Sequence, residues 1–435
     1  MILTIYRGTH EIGGSCVEVQ AEGERIVLDL GMPLVNRDGS PFEMPKGERS
    51  TDDLLKGGVL PNVPGLYARG STPPLAVILS HAHQDHYGFA GFATPDVPVF
   101  LTAGTKALIE ASALFLPHKV RIPNTVILPK WKPVQIGPFR VTSYLVDHSA
   151  PDAVALLIEA GGKRVLYSGD LRRHGRKGVL FERLVKRPPP RIDVFLLEGT
   201  MMGRGDSACS TEQEVEIQVS RVLRAQTNVA LLFCSSQNVD RLVSAYRAVL
   251  RTRRLLIIDL YTAFVLDALR TVSNRLPQWD SERVKVKHWP QHRKSLEQSG
   301  QDRFLERLAA NSVRMDFICR YRRKILLLTK SNCHFTKLAS RLAAEPPGLE
   351  GLEIIWSQWA GYWNTDKFVR PYCEKHGLQR RQIHTSGHAS TNDLKQLADA
   401  IGPKMIIPIH TFHPGDYVHR FKNVVVAYDG VPLTF

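Results

Sequence analysis

The sequence predicts an α/β protein in which one domain interrupts another. Residues 1–200 consist mostly of short strand candidates separated by Gly- and Pro-rich turns, which predicts two facing sheets with helices outside them. From about residue 205, helix and strand candidates alternate, as is typical of a mainly parallel, doubly wound sheet. Near its end the chain returns to short strands, MIIPIH and NVVVAYDG.

The strand candidates of the first part are short runs rich in β-branched and aliphatic residues. In order, they are LTIYRG, SCVEVQ, RIVLDLG, AVILSHAH, VPVFLT, RVTSYLVDHS, AVALLIEA, RVLYSGD and DVFLLEG, with a helix candidate at AGTKALIEASAL. In the second part, TEQEVEIQVSRVLRA has helical spacing and begins at a capping residue, Ser210 or Thr211. The strands VALLFC, RLLIID, KILLLT and LEIIWS follow, with the helices NVDRLVSAYRAVL and YTAFVLDALRTV; residues 281–322 are a polar, basic, helix-like excursion.

Composition indicates a cytoplasmic protein without a membrane partner. The 435 residues include six scattered cysteines and no C-x-x-C pair, which favours reduced thiols over a disulfide framework. The start, MILTIYRG, lacks the basic and apolar regions of a signal peptide, and no charge-free apolar run is long enough to span a bilayer.

The positive charge is concentrated in one region. Net charge is +15, and residues 251–350 hold 20 Lys/Arg against 10 Asp/Glu. A basic pI alone indicates no more than a soluble protein. A concentration of positive charge in one region, however, is typical of a surface that binds a polyanion.

The stretch SHAHQDHYG, Ser80 to Gly88, predicts a metal site. His81 and His83 alternate, so both point the same way at a strand end, and Asp85 and His86 follow at the turn. Imidazole with carboxylate suits Zn²⁺ or Mn²⁺. Four ligands so arranged are too many for one simple site, which favours two ions about 3.5–4 Å apart.

Further ligand candidates also end strands. His148 follows VTSYLVD, Asp170 follows RVLYSG, and His410 follows MIIPI. Asp29, in IVLDLG, either orients a metal-bound histidine or forms a turn before Gly31, and the local sequence leaves both open.

These residues resemble motifs of a known family. Asp29 before a glycine, HAHQDH, His148 in DHSAPDA and Asp170 in SGDLR look like motifs one to four of the metallo-β-lactamase superfamily, whose fold is an αββα sandwich. Glu198 in LLEGT, His388 in HTSGHAS and His410 in PIHT match motifs A, B and C of the β-CASP nucleases, and SGHAS and LFCSSQNVDR resemble ribonuclease J. The resemblance implies a metallo-β-lactamase domain at 1–204 and 376–435, interrupted by a doubly wound β-CASP domain at 205–375.

The resemblance also implies roles for individual residues. His81, His83, His148 and Asp170 would hold one zinc, and Asp85, His86, His410 and the shared Asp170 a second, with manganese or magnesium as alternatives. Asp85 would thus serve both metal binding and catalysis. His388 would contact the scissile phosphate and protonate the leaving group, with Glu198 supporting it.

Phosphate contacts are predicted at two loops. Gly387 and Ser390 flank His388, and Ser235 and Ser236 follow a strand at a position where doubly wound sheets bind anions. For Ser236 or Asn238, capping of the next helix is the alternative.

The function expected is metal-dependent hydrolysis of RNA, because His at motif C accompanies the RNA-acting members of the family. The RNA is expected to be single-stranded. The resemblance also allows a homodimer. Alternatives are a DNA exonuclease of the same fold, a hydrolase of lactones, lactams or thioesters, and a non-catalytic RNA-binding subunit.

Overall fold

A computed structural model describes residues 1–36, 39–45, 47, 49–67, 72–205 and 209–435. The chain divides into two compact units. Unit 1 comprises Met1–Ala113, Pro117–Gly205 and Gly387–Phe435; unit 2 comprises Leu114–Leu116 and Asp206–Ser386. In the part of the chain that is described, no helix is both long and apolar enough to cross a bilayer.

The strands are, in chain order, β1 (Ile2–Arg7), β2 (Cys16–Ala21), β3 (Glu24–Leu28), β4 (Ala76–Ile78), β5 (Val99–Leu101), β6 (Thr125–Ile127), β7 (Pro133–Ile136), β8 (Phe139–Leu145), β9 (Val154–Ala160), β10 (Lys163–Tyr167), β11 (Val194–Glu198), β12 (Ala230–Phe233), β13 (Leu255–Asp259), β14 (Val284–Lys287), β15 (Ser312–Val313), β16 (Ile325–Thr329), β17 (Glu353–Trp356), β18 (Arg380–Gln382), β19 (Met405–Ile409) and β20 (Pro432–Thr434). The α-helices are α1 (Thr51–Lys56), α2 (Gln84–Tyr87), α3 (Ala103–Ala113), α4 (Val179–Lys186), α5 (Glu212–Ala225), α6 (Val239–Thr252), α7 (Leu260–Ala268), α8 (Pro290–Gln298), α9 (Asp302–Leu308), α10 (Met315–Tyr321), α11 (Cys333–Ala343), α12 (Gly361–Asn364), α13 (Val369–His376) and α14 (Thr391–Ile401).

Unit 1 is built on two facing sheets. One has the order β20-β1-β2-β3-β4-β5-β6 and the other β19-β11-β10-β9-β8-β7. Apolar side chains of both sheets, such as Ile26 and Ile78 from the first and Leu156 and Ile407 from the second, form a single buried layer between them. Helices α4 and α14 pack on the outer face of the second sheet. The predicted αββα sandwich is therefore confirmed.

Strand direction brings the ligand candidates of unit 1 to one edge. β3, β4 and β5 run parallel, as do β10, β11 and β19, and β8 runs the same way as β10 because each is antiparallel to β9. Parallel strands present their carboxyl ends at the same sheet edge. The residues that follow β3, β4, β8, β10 and β19 include the predicted metal ligands, so these residues meet at that edge.

Unit 2 contains a seven-stranded sheet with the order β15-β14-β13-β16-β12-β17-β18. Every pairing within it is parallel. One buried cluster packs α5–α9 on one face, and another packs α10, α11 and α13 on the opposite face. Helices on both faces of a parallel sheet confirm the predicted doubly wound architecture.

Two local predictions differ from the structure. The basic excursion 281–322 is mostly helical, but it also contributes strands β14 and β15, because VKVK places Val284 and Val286 in the buried layer while its lysines stay half-buried. NVVVAYDG does not form a strand; only Val424 makes an isolated bridge, to Ile406, and the last strand is instead β20, paired with β1. Strand formation at the chain end is decided by the partner that is available, which local propensity does not report.

Candidate metal centre

Seven predicted ligands of unit 1 converge at the carboxyl edge of its sheets. Among the described residues, two groups have ligand atoms that all lie within 4.8 Å of one another. The first group is His81, His83, His148 and Asp170; the second is Asp85, His86, Asp170 and His410. These are the two sets that the resemblance implies, and Asp170 belongs to both.

The first group is organised around His83. Its Nδ1 lies 3.2 Å from His81 Nε2 and 3.0 Å from His148 Nε2. His148 donates its own Nδ1–H to the Gly387 carbonyl at 2.8 Å, so its Nε2 carries a lone pair. If His83 Nδ1 carries a proton, it can donate to only one of these two nitrogens, His81 Nε2 or His148 Nε2. At least one lone pair is then left without a hydrogen bond at the point where the three nitrogens meet.

The second group is organised around two carboxylates. His410 Nε2 lies 3.2 Å from Asp85 Oδ2, and His86 Nε2 lies 3.2 Å from Asp170 Oδ2. Burial opposes ionisation of Asp85, but His86 and His410 outweigh it and lower its pKa to about 2. The group therefore contains ionised oxygen ligands beside imidazoles.

Asp170 is the shared member. Its side chain is almost fully buried, and neither carboxylate oxygen has a hydrogen-bond partner among the described residues. Burial raises the pKa of such a carboxyl, but the imidazoles of His410, His86 and His388 reverse the effect and hold its pKa well below the usual range. A buried carboxylate without hydrogen bonds is costly unless a cation compensates its charge.

The histidines differ in protonation according to their surroundings. Burial, reinforced by neighbouring imidazoles, holds the pKa of His81 and of His148 well below the usual range, and burial lowers that of His83 to about 4. Neutral imidazole is the form that binds metal. For His86, burial is outweighed by Asp170, Asp29 and Asp85, which hold its pKa well above the usual range.

Asp29 orients the second group from behind. It follows β3 with a left-handed backbone, φ 56°, and its side chain is completely buried. Its Oδ2 accepts 2.7 Å hydrogen bonds from His86 Nδ1, Ser80 Oγ and the Tyr167 hydroxyl. With Nδ1–H bound to Asp29, His86 directs Nε2 toward Asp170. Of the two possibilities open in the sequence, the contacts favour orientation of a histidine.

Replacing Asp29 by Asn is expected to lower metal affinity and turnover by about 10- to 100-fold, the effect usual for a carboxylate that orients a metal-ligating histidine. Metal titration with a competing chelator measures the first quantity directly. Glu22, an acid in the turn before β3, offers a control as Glu22→Gln. Unchanged metal affinity in Asp29→Asn would contradict this role.

Sequence reasoning missed three anchoring residues. Ser80 Oγ donates to Asp29 and therefore accepts from His81 Nδ1 at 3.0 Å, which fixes Nε2 of His81 as the lone-pair nitrogen. Thr200 Oγ1 lies 2.8 Å from His410 Nδ1. With Tyr167, these hydroxyls occupy ordinary strand ends, and their only signal in the sequence is adjacency to a ligand motif.

Close approach of the backbone depends on two glycines. A Cβ on Gly31 would lie 1.8 Å from the Asp85 carbonyl oxygen, so only glycine lets the loop after β3 pack against the ligand turn. Gly169 has φ 53°, and a Cβ there would lie 2.8 Å from the Val154 carbonyl. The loop before Asp170 therefore also depends on glycine for its close approach to β9.

A third group joins the catalytic candidates to the ligands. Asp170, Glu198, His388 and His410 also offer ligand atoms within 4.8 Å of one another. His388 Nδ1 lies 3.4 Å from Glu198 Oε1 and 3.7 Å from Asp170 Oδ2. Burial lowers the pKa of His388, but Glu198 and Asp170 outweigh it and the net pKa is raised. His388 is 19% exposed, whereas Glu198 is buried.

The predicted phosphate-binding residues lie in different settings. In unit 1, Gly387 accepts from His148 through its carbonyl, and Ser390 caps α14 by accepting from Asp393 N at 3.2 Å. In unit 2, Ser236 is fully buried, with its hydroxyl 2.7 Å from that of Thr262. Ser235 is exposed and accepts from Gln237 N, while the cap of α6 is Asn238.

The residues present fit a divalent metal centre. Lone-pair nitrogens converge on His83, and the buried oxygens of Asp170 and Nε2 of His86 lack hydrogen-bond partners among the described residues. Imidazole and carboxylate together are the ligands typical of zinc and similar ions. Cation binding would satisfy all of these atoms at once.

Two family models match the chain. A beta-lactamase superfamily domain matches residues 51–229, and a Zn-dependent metallo-hydrolase RNA specificity domain matches residues 377–413. The first match includes the HAHQDH cluster, His148, Asp170 and Glu198, and the second includes His388 and His410.

Similar proteins cover most of the chain. Ribonuclease J of Mycolicibacterium smegmatis is 24% identical over 446 residues, which is 99% of this chain and 72% of that protein. Ribonuclease J of Mycoplasma genitalium is 20% identical over 419 residues, 93% of this chain and 67% of that protein. Transcription termination factor FttA of Methanothermobacter thermautotrophicus is 26% identical over 277 residues, which is 59% of this chain and 39% of that protein.

The fold is also found in a solved structure. A protein of unknown function from Enterococcus faecalis V583 superposes with a TM-score of 0.75 at 18% identity, over 99% of both chains. The fold, the ordered motifs and the matching family models agree. The chain therefore contains a beta-lactamase superfamily domain and an RNA specificity domain of Zn-dependent metallo-hydrolases, and it is similar to ribonuclease J over most of its length.

Proposed function

We propose that this protein is a metal-dependent ribonuclease that hydrolyses phosphodiester bonds in single-stranded RNA. The observation that carries the proposal is the position of Asp170, shared by two ligand groups and 3.7 Å from His388. The two groups account for metal binding, and His388 with Glu198 adds an acid–base pair beside them. The ribonuclease J names of the relatives and the RNA specificity domain support RNA as the substrate.

Zinc is the metal proposed, at two ions per chain, with manganese or magnesium as alternatives. His81, His83, His148 and Asp170 would hold one ion, and Asp85, His86, His410 and Asp170 the other. When bound, such ions supply positive charge to the phosphate and ionise a water near neutral pH. Protonation of the leaving oxygen is a task for side chains of the protein.

His388 is proposed to deliver the proton that the leaving oxygen needs. Its Nδ1 faces Glu198 at 3.4 Å, and Nε2 is proposed as the nitrogen that contacts the substrate. The carboxylates of Glu198 and Asp170 raise its pKa, so more of the imidazolium persists near neutral pH. Thr200 N donates to Glu198 Oε2 at 2.9 Å and holds that carboxylate in place. A general acid so placed contributes about 10²- to 10⁴-fold to the rate.

Unit 2 is proposed to be the β-CASP domain and to contribute RNA binding. It contains residues 251–350, with their excess of 10 positive charges. Phosphate backbones bind such surfaces with strong salt dependence. Ser235 and Ser236, in the loop after β12, and Gly387 and Ser390 in unit 1 stay predictions as phosphate contacts. A cytoplasmic location and a homodimer likewise stay predictions, the second testable by light scattering.

The proposal is tested by incubating the chain with 5′-labelled and 3′-labelled RNA, before and after chelation and with each metal restored. Cleavage that disappears on chelation and returns with zinc or manganese is the expected result. Single-stranded DNA and a chromogenic lactam serve as parallel substrates. RNA that stays intact under every metal condition, or a preference for DNA or the lactam, would refute it. The two labels also distinguish exonucleolytic from endonucleolytic products.

A further inference from the structure

Unit 2 exposes a cluster of aromatic side chains in one short segment. Trp359 is 46% exposed, Tyr362 52% and Phe368 37%. The other large hydrophobic side chains that are exposed in the described part of unit 2 are Leu250 and Tyr321. We call residues 359–368 the aromatic loop. Every exposed large hydrophobic side chain in this loop is aromatic, which is unusual for a surface kept only for solubility.

The aromatic loop is held by the core beneath it. Trp356, at the end of β17, is buried and donates from Nε1 to the Trp359 carbonyl at 3.3 Å. Its ring also packs edge-on against Trp363 at 5.1 Å. The Trp359 ring lies over Gly361, where a Cβ would be only 2.3 Å from ring atoms. The Trp359 ring is thus packed on the loop backbone and lies edge-on to the Tyr362 ring at 5.4 Å, so ordering Trp359 on binding would cost little conformational entropy.

The segment that contains the aromatic loop is rich in cations, of which Arg370 pairs with Glu374 and Arg381 with Glu353. Residues 356–382 contain five Lys/Arg and two Asp/Glu. Arg380 lies over the Trp363 ring at 4.7 Å. The nearest acid, Asp366, is committed to the backbone: its Oδ1 accepts from the N–H groups of Phe368, Val369 and Arg370. Lys367 is exposed and has no ion pair among the described residues.

The aromatic loop also lies at a binding edge of the sheet. It follows β17, which pairs in parallel with β12, so it leaves the same carboxyl edge as the Ser235–Asn238 loop. Ligands of doubly wound sheets bind at this edge. Exposed aromatic rings with interspersed cations are the device by which proteins bind single-stranded nucleic acid without sequence preference: bases stack on the rings and cations contact phosphates.

We propose that the aromatic loop binds single-stranded RNA by stacking bases on Trp359 and Tyr362. This inference rests on the proposed function for its choice of RNA. A protein partner or a second copy would also bury aromatic rings, but the cationic surroundings and the lack of exposed aliphatic side chains in the loop favour a nucleic acid.

The test compares two strands that differ only in their bases. The full chain, treated with chelator so that RNA stays intact, is titrated with a fluorescent strand of about 12 uridines and with an abasic ribose-phosphate strand of equal length. We expect the wild type to prefer the base-bearing strand. Trp359→Ala and Tyr362→Ala should each weaken binding of that strand at least about fivefold and leave abasic binding unchanged.

Two further variants separate stacking from folding. Trp359→Phe should retain most of the preference, whereas Gly361→Ala should lose it, because the added Cβ displaces the Trp359 ring without removing it. Tyr321→Ala is the matched control, since Tyr321 is 37% exposed in the same unit and ends α10, before the amino end of β16. Its binding should equal that of the wild type.

Equal affinity of the wild type for the two strands would overturn the inference, as would unchanged binding in both alanine variants. A fall in oligomer mass on Trp359→Ala, with RNA binding intact, would assign the surface to a second copy and also overturn it. Restoring metal to the same samples and following cleavage tests the proposed function separately. Cleavage without base-dependent binding would refute only the stacking inference, and base-dependent binding without cleavage would refute only the proposed function.

Discussion

Asp170→Asn is expected to reduce RNA cleavage by more than about a hundredfold. Removing a residue that merely orients a metal ligand already lowers metal affinity or activity by about 10- to 100-fold. Asp170 contacts both ligand groups, and the amide keeps its size while removing the negative charge. Single-turnover cleavage of labelled RNA at saturating metal measures the effect.

The matched control for this substitution is Asp399→Asn. Asp399 lies on α14, also in unit 1, is largely exposed and, within the described part of the chain, pairs only with Lys395 in the neighbouring turn. An exposed pair of this kind contributes little to stability. Cleavage should equal that of the wild type. Activity of Asp170→Asn within about tenfold of this control would show that the carboxylate does not hold metal.

His388→Ala is expected to lower the rate of RNA cleavage by about 10²- to 10⁴-fold while RNA affinity stays the same. The reason is that the alanine variant cannot protonate the leaving oxygen. A phosphodiester with a p-nitrophenolate leaving group needs no such proton, so its hydrolysis should lose much less. The ratio of the two losses is the measurement, and it distinguishes acid catalysis from damage to the metal groups.

His419→Ala provides the control for His388, because His419 is exposed and belongs to the same unit. Equal losses for RNA and for the activated ester in His388→Ala would contradict the protonation role. Glu198→Gln should reproduce the His388→Ala pattern in weaker form, since the imidazole is retained and only the carboxylate that raises its pKa, 3.4 Å away, is lost.

The ligand groups were predictable from sequence because they obey short-range rules. HAHQDH places four ligand candidates within six residues, and His148, Asp170 and His410 each follow an apolar strand. Parallel strand direction then brings separate strand ends to one edge. The doubly wound character of unit 2 was predictable for the same reason, since alternating helix and strand signals leave few other arrangements.

What the sequence did not reveal depends on distant partners. Tyr167 donates to Asp29 across 138 positions, and Thr200 contacts His410 across 210. A hydroxyl at a strand end carries no local mark of such a contact. Strands β14, β15 and β20 were missed because each spans only two to four residues, too few for a clear local signal, and depends on its pairing partner. Ser236 likewise points away from solvent because its hydroxyl lies 2.7 Å from that of Thr262, a partner 26 positions away.

Metal binding by the two ligand groups is best tested by the metal content of the chain, measured by elemental analysis after zinc loading and removal of free ions, for the wild type and Asp170→Asn side by side. We expect close to two ions per wild-type chain and a marked loss in Asp170→Asn, with Asp399→Asn equal to the wild type. A wild-type chain that retains no metal, or an Asp170→Asn chain that retains as much as the wild type, would refute this metal centre.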